Sequence, residues 1–252
     1  MMSNKKYCNS WGDGPRVTPL VEGNLVYTIS AHAKLYACDA KTGAVKWQYD
    51  LAKELNDAIP DLGYSNSPII DSELLLVAGL GGANRSLLAF DKMTGRRVWS
   101  SHQDHPGYSS PIIISAHGFR QAVFFTGTKI AAVSPTDGKV LWTFPWRTDS
   151  FENVATPVFI SNDKLFFSSA HPKEAGSAVL QIKAANGKVY AETVWKNNLM
   201  QHHFASSVFY KGFLYGTDRA ILKCVEAGTG KLYLRNEAEM ICLDLSAANY
   251  HP

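Results

Sequence analysis

Short runs of apolar and polar residues alternate along most of this chain. Leu25-Val26-Tyr27-Thr28-Ile29 is a β-branched and aromatic run, Lys34-Leu35-Tyr36-Ala37-Cys38 is the next, and Ala44-Val45-Lys46-Trp47-Gln48-Tyr49 alternates as a half-buried strand does. The stretch Asp39–Gly43 separates the last two and reads as a turn. Gly accepts positive φ there, and Asp bonds the backbone ahead of it. Asp137-Gly138 is a hairpin signal of the same kind. No window of helical length has a period near ~3.6. Leu51–Ala58 alone has a brief helical character, and it falls between strands.

The pattern repeats. Ala37-Cys38-Asp39-Ala40-Lys41-Thr42-Gly43-Ala44-Val45-Lys46-Trp47 returns as Ala89-Phe90-Asp91-Lys92-Met93-Thr94-Gly95-Arg96-Arg97-Val98-Trp99, and in worn form as Ala132–Trp142. A second marker is a small residue before Pro: Thr18-Pro19, Ser67-Pro68, Ser110-Pro111 and Thr156-Pro157, with Ser206-Ser207 as a copy lacking the Pro. Its steps are 49, 43, 46 and 50 residues, and the glycines Gly43, Gly95, Gly138, Gly187 and Gly230 step by 52, 43, 49 and 43. Two markers drifting around one period predict a unit the length of a four-stranded propeller blade, ~40–50 residues. The expected fold is therefore all-β, a β-propeller with about five blade units.

The A-x-D-x-x-T-G-x-x-x-W phrase resembles the tryptophan-docking repeat of PQQ-like, or quinoprotein-type, β-propellers. That family includes PQQ-dependent alcohol dehydrogenases and cofactor-free relatives that scaffold outer-membrane β-barrel assembly. The likeness runs over residues 11–234. It implies that Trp47, Trp99, Trp142 and Trp195 each pack against the neighbouring blade, Trp195 after the longer turn Asn186-Gly187-Lys188. The fifth copy has Leu234 where the Trp is expected. Family propellers have seven or eight blades, so five units read as an incomplete member. A closed five-blade ring is the rival. Residues 1–10 carry no blade pattern and read as unstructured or a misassigned start. The tail 235–252 matches neither marker, although Met240–Leu245 reads as one strand. An open arc of blades would expose apolar faces and self-associate through them.

Composition narrows the partners. Hydrophobic residues make up 46% of the 252 and charged residues 19%, as in an ordinary packed domain. A formal charge of +3 with scattered Lys and Arg argues against nucleic acid. No apolar run approaches the ~18 residues of a membrane span. Lys5-Lys6 precedes no apolar segment, so no signal peptide is visible, whereas the family is typically periplasmic or exported. The expectation is a cytoplasmic chain as it stands, or one truncated at its N-terminus. A protein partner or small ligand is expected, unidentified in either case.

Catalysis of the quinoprotein kind needs more than the fold. The resemblance implies a vicinal Cys-Cys disulfide over the cofactor, carboxylate and amide ligands for Ca²⁺, an Asp base and a Trp floor. Here Cys8, Cys38, Cys224 and Cys242 include no adjacent pair and no C-x-x-C, and Cys224 with Cys242 is the one disulfide worth testing. Cys38 and Cys224 are expected at equivalent blade positions, each just before its turn, and read as small buried hydrophobes. No catalytic residue, metal site or cofactor is expected; PQQ with Ca²⁺ belongs only to the alternative, a quinoprotein alcohol dehydrogenase-like protein or an inactive fragment of one. Gly79–Ala83 reads as a loop between strands, since it lacks the helix and Lys-Ser/Thr of a phosphate cradle. The main reading is a non-catalytic scaffold for a protein or ligand.

The residues leading into the innermost strands should meet at one end of the propeller axis. Arg16, Tyr64, Ser65, Tyr108, Ser109, Asn153, His202 and His203 are expected to form a polar, aromatic mouth there for a small anionic or sugar-like ligand. Adjacent residues on a strand face opposite ways, so His202 and His203 cannot share one metal ion. His102, Asp104 and His105 read as a solvated loop.

Overall fold

A computed structural model describes residues 14–160, 163–170, 176–218, 221–235 and 240–243. Residues 1–10 lie outside it, as does most of the tail after 235. Five antiparallel sheets follow one another along the chain, each laid down in sequence order. Blade 1 is β1 (Leu20–Glu22), β2 (Leu25–Ile29), β3 (Lys34–Asp39) and β4 (Val45–Asp50). Blade 2 is β5 (Ile69–Asp71), β6 (Leu74–Ala78), β7 (Leu87–Asp91) and β8 (Arg97–Ser101). Blade 3 is β9 (Ile112–Ala116), β10 (Phe119–Phe125), β11 (Lys129–Val133) and β12 (Val140–Pro145). Blade 4 is β13 (Val158–Ile160), β14 (Lys164–Ser169), β15 (Gly176–Ala185) and β16 (Lys188–Asn197). Blade 5 is β17 (Val208–Tyr210), β18 (Phe213–Asp218), β19 (Ile221–Glu226) and β20 (Leu232–Arg235), with β21 (Met240–Leu243) added at its edge. The one helix among the described residues, α1 (Leu51–Leu55), is capped by Asp50, whose carboxylate accepts from the Lys53 amide at 3.1 Å.

Four apolar layers separate the five blades. Tyr27 and Leu35 meet Leu75 and Phe90 in the first, and Leu76 and Ala89 meet Ala122 and Phe124 in the second. Val123 and Phe125 meet Leu165 and Leu180 in the third, and Phe166 and Val179 meet Leu214 and Val225 in the fourth. Successive residues of a middle strand thus enter different layers. This is why Leu74–Ala78 and Ala122–Phe125 are continuously apolar while outer strands alternate. Among the described residues no layer joins blade 5 to blade 1, so the blades form an arc and not the closed five-blade ring.

The repeated turn is built from its own side chains. Asp39 Oδ1 accepts from the amides of Lys41 (3.1 Å) and Thr42 (3.0 Å) and from the Thr42 hydroxyl (2.9 Å). Asp91 does the same with Met93 and Thr94. The bonds from Thr42 hold the Asp39 carboxyl at about 2, below the ordinary carboxylate range. Gly43 and Gly95 close their turns at φ +70° and +72°, where a side chain would be strained. Blade 4 differs. Its outer hairpin is longer, and Asn186 and Gly187, both at positive φ, make a two-residue turn between the paired Ala185 and Lys188.

Each outer strand of blades 1 to 4 carries a register shift just before the Trp: Cys38 pairs with Val45, but Ala37 with Trp47. Equivalent shifts occur at Ala89/Phe90, Ala132/Val133 and Val179/Leu180. Blade 5 has none. There Val225 pairs with Leu232 and Cys224 with Tyr233. Without the extra residue of a bulge, Tyr233 and not Leu234 stands at the Trp register. The same register corrects two readings of the cysteines. Cys224 corresponds to Ala37 and not to Cys38, so the two lie on opposite faces of their blades. Tyr233 also pairs with Cys242, so β20 runs between Cys224 and Cys242. Two strand spacings, about 10 Å, exceed the reach of a disulfide, and Cys224 is a free thiol.

Candidate functional site

The lead-in segments run extended toward the axis, and their side chains alternate. In each blade the marker residue and the residue two before it face one cavity of about 540 Å³: Arg16 and Thr18, Ser65 and Ser67, Tyr108 and Ser110, Val154 and Thr156, Phe204 and Ser206. Leu62 completes the wall. The cavity is therefore lined by two sets, a mixed group and a ring of five hydroxyl residues.

The hydroxyl ring also fastens the blades to one another. The Thr18 amide donates to Ser67 Oγ, the Ser67 amide to Ser110 Oγ, and the Thr156 amide to Ser206 Oγ, all at 2.9 Å. Each contact joins one blade to the next. A hydroxyl whose oxygen accepts in this way keeps its hydrogen for another acceptor. Arg16 sets a guanidinium in the lining and bonds the Leu62 carbonyl.

Of the eight expected mouth residues, Arg16, Ser65 and Tyr108 line this cavity. The other five do not. Tyr64 is buried, donating to the Ala78 carbonyl at 2.6 Å, and burial raises its phenol well above the ordinary range. Ser109 is buried and donates to Ala155 O at 3.0 Å. Asn153 is buried and donates to Thr126 O at 2.8 Å and Gly127 O at 3.1 Å. His202 lies between blades 4 and 5, against Phe166 and over Gly216, where a Cβ would be 2.3 Å from its ring. Its Nδ1–H donates to Thr217 O at 2.8 Å, so Nε2 accepts from the Ser207 hydroxyl at 2.6 Å. Burial lowers its pKa against the raising effects of the Thr217 carbonyl and Asp218. His203 stacks on Phe204 and faces Glu152 at 3.4 Å. For Tyr64, Ser109 and Asn153 the cause of this placement is alternation along the lead-in segment, whereas His202 shares the phase of Phe204 and Ser206 and is drawn between blades by its bonds to Thr217 and Ser207. Alternation turns the first three between the blades, where their buried polar groups bond backbone. The ring of Thr18, Ser67, Ser110, Thr156 and Ser206 coincides with the small-residue marker of the repeat, whose spacing along the chain reveals a period and not a lining.

The loop at His102–His105 is not simply solvated. Burial disfavours the Asp104 carboxylate, but bonds from Thr126, Thr128 and the Thr128 amide outweigh it and lower its pKa. His105 stacks on Phe151 at 4.0 Å. Gly79–Ala83 lies in the connection between β6 and β7. Among the described residues no cluster of three or more His, Cys, Asp or Glu is arranged to hold a metal.

The tryptophans meet the neighbouring blade in two ways. Trp47 Nε1 donates to Lys92 O (3.0 Å), Trp99 Nε1 to Pro135 O (2.9 Å) and Trp195 Nε1 to Ala227 O (2.8 Å). Each acceptor belongs to the repeated turn of the next blade. The rings lie on Gly95, Gly138 and Gly230 of those turns. Trp142 is different. It enters the third layer, but its Nε1 donates to Gln121 Oε1 within its own blade at 2.7 Å, and nothing stands within 4 Å of the Gly187 Cβ position. The lengthened hairpin of blade 4 carries its turn away from Trp142.

Comparison with known proteins agrees with this architecture. The chain is 31% identical over 143 residues to the quinoprotein alcohol dehydrogenase PedH of Pseudomonas putida, a match covering 52% of this chain and 23% of that protein. Among solved structures, BamB from Moraxella catarrhalis superposes with a TM-score of 0.63 at 16% identity, covering 86% of this chain and 62% of that one. The quinohemoprotein alcohol dehydrogenase ADHIIG from Pseudomonas putida HK5 gives 0.56 at 17%, covering 87% and 41%. A europium-containing methanol dehydrogenase gives 0.56 at 16%, covering 85% and 49%. The chain thus spans less than two thirds of each of these relatives. The profile of the PQQ_2 family, described as outer membrane protein assembly factor BamB, matches residues 3–238, and this β-propeller chain belongs to that family.

Proposed function

We propose that this chain is a non-catalytic propeller scaffold, working in the exported compartment typical of its relatives, whose axial cavity holds an acceptor-rich segment of a partner protein. One observation carries the reading: the cavity is lined by hydrogen-bond donors. The hydroxyl oxygens of Ser67, Ser110 and Ser206 are engaged by backbone amides, and Arg16 adds a cation to the lining. Carbonyl and carboxylate oxygens complement such a lining. Tyr108, Val154 and Phe204 supply apolar wall for the rest of the bound segment.

The PedH match favours a second reading, a quinoprotein dehydrogenase. PQQ would supply the electron-accepting chemistry of such an enzyme, together with a hard cation that takes about six to eight oxygen ligands. The residues here do not fit that cation. The cavity lining contains no Asp or Glu, and the four cysteines include no adjacent pair.

Calorimetric titration with a short Asp- and Phe-containing peptide, against the same peptide with Asn for Asp and an amidated end, tests the scaffold reading. The acidic peptide should bind, and Arg16→Gln with Ser67→Ala should weaken it by about tenfold or more. Equal binding of both peptides, or none, would overturn the proposal. A tight, Ca²⁺-dependent titration with PQQ would replace it with the dehydrogenase reading.

A further inference from the structure

The outer edges of the blades are not alike. An outer strand leaves one row of backbone amides and carbonyls pointing away from its sheet, and a bulge interrupts that row. Register shifts leave residues 47–50 of β4, 99–101 of β8 and 142–145 of β12 as the unbroken runs of those edges. The β19–β20 ladder has no shift, and β20 is the outer strand that pairs with a further strand, the antiparallel β21. β16 shares the property of β20 over most of its length. Its shift leaves Val194 as the extra residue, so residues 188–193 run unbroken. Among the described residues β16 pairs only with β15.

The phase of the ladder shows which groups of β16 point outward. The Ile182 amide donates to Asp163 O at 2.7 Å, and the Ile182 carbonyl faces His117 Nε2 at 2.8 Å. Both groups of Ile182 therefore point away from β16, and the opposite residue, Ala191, points its own pair away from β15. Alternation puts the backbone groups of Val189 and Thr193 on the same outward row. Side chains alternate about this edge too. Val189 and Ala191 pack into the layer shared with blade 3. Lys188, Tyr190 and Glu192 share the other face and are exposed.

We infer that β16 receives an extended segment of a partner protein as a fifth, antiparallel strand of blade 4. The edge itself defines the segment. Partner residues opposite Val189 and Ala191 exchange backbone bonds with them. On the exposed face an acid belongs opposite Lys188, an aromatic or β-branched residue opposite Tyr190 and a base opposite Glu192. In its own direction the segment therefore reads base-x-aromatic-x-acid. Lys183 holds the Glu192 carboxylate at 2.6 Å, which keeps that charge in place beside the edge. A second copy of β16 carries the same pattern, but two folded arcs would then touch along a line about 20 Å long and one strand wide. That falls short of the ~1,200 Å² of a stable interface. A flexible segment binds through such a ladder alone, its alternate side chains giving specificity. The inference does not depend on what the axial cavity binds.

Fluorescence anisotropy of a labelled Thr-Lys-Val-Tyr-Val-Glu-Thr peptide with the full chain tests it. Binding at micromolar concentrations is expected, weakened by about tenfold or more when both Val amides are N-methylated. Ala191→Pro removes an outward N–H at an edge position, where Pro is tolerated, and should weaken binding alike. Lys188→Glu with Glu192→Lys should reverse the preference, toward the peptide with its Lys and Glu exchanged. Circular dichroism reports that the variants keep the fold. No binding, equal binding of the N-methylated peptide, or binding that the folded variants leave unchanged would each overturn the inference. So would a dimer of the chain alone, seen in sedimentation velocity, that Ala191→Pro disperses.

Discussion

Trp47 covers Gly95 so closely that a Cβ on Gly95 would sit 2.6 Å from the indole ring. The two residues belong to successive blades, and the indole N–H bonds the Lys92 carbonyl three residues before the glycine. The glycine thus meets two requirements at once, a positive φ and an empty face. Trp99 on Gly138 and Trp195 on Gly230 repeat the arrangement.

Gly43 separates the two requirements. It has nearly the same φ, but nothing stands within 4 Å of its Cβ position. Gly43→Ala should cost only backbone strain, about 1 kcal/mol. Gly95→Ala adds overpacking of about 1–3 kcal/mol. Urea unfolding of the two variants should place Gly95→Ala clearly below Gly43→Ala. Equal midpoints would mean that the ring moves aside freely and does not lock the blades.

The Trp142–Gln121 bond gives a second comparison. Gln121 is fully buried, and its Nε2 has no partner among the described residues. Trp142→Phe leaves Oε1 unpaired as well, at a cost of about 1–3 kcal/mol beyond the lost ring area. Adding Gln121→Leu removes the stranded amide and should recover part of that loss. A double mutant no more stable than the single one in a thermal melt would argue against this account.

His202 makes stability depend on pH. Burial lowers its folded pKa below the ordinary value of ~6.5. The unfolded chain therefore takes up the proton first. The stabilisation is fully present above ~6.5 and is lost as pH falls through the lowered folded value, at up to ~1.4 kcal/mol per pH unit. Melting temperatures from pH 8 to pH 5 should fall more steeply for the native chain than for His202→Gln. Parallel curves would show that His202 is not held neutral.

Much of this was legible beforehand because it is local. The Asp39–Gly43 turn announces itself through residues that bond within five positions of one another. The strands around it follow from an apolar period of two. The fifth copy was misread for a complementary reason. Counting four residues from Gly230 reaches Leu234, but pairing with Cys224 selects Tyr233, because this strand has no bulge. A bulge depends on the partner strand, and spacing along one strand does not reveal it.

The axial cavity divides in the same way. Each lead-in segment places residues on the cavity, while Tyr64, Ser109, Asn153, His202 and His203 face neighbouring blades or protein. Ser67 and Ser110 were noticed for their spacing, and only the packed arc shows their oxygens holding adjacent blades around a donor-lined cavity.

By itself, then, the sequence determined the blade, its turn chemistry and the fivefold repeat, because these rest on interactions within some fifty residues. Tertiary structure alone decided which side chain of each alternating pair meets the axis and which Trp bonds across an interface. Those outcomes depend on the distance and angle between sheets, set jointly by side chains from two blades.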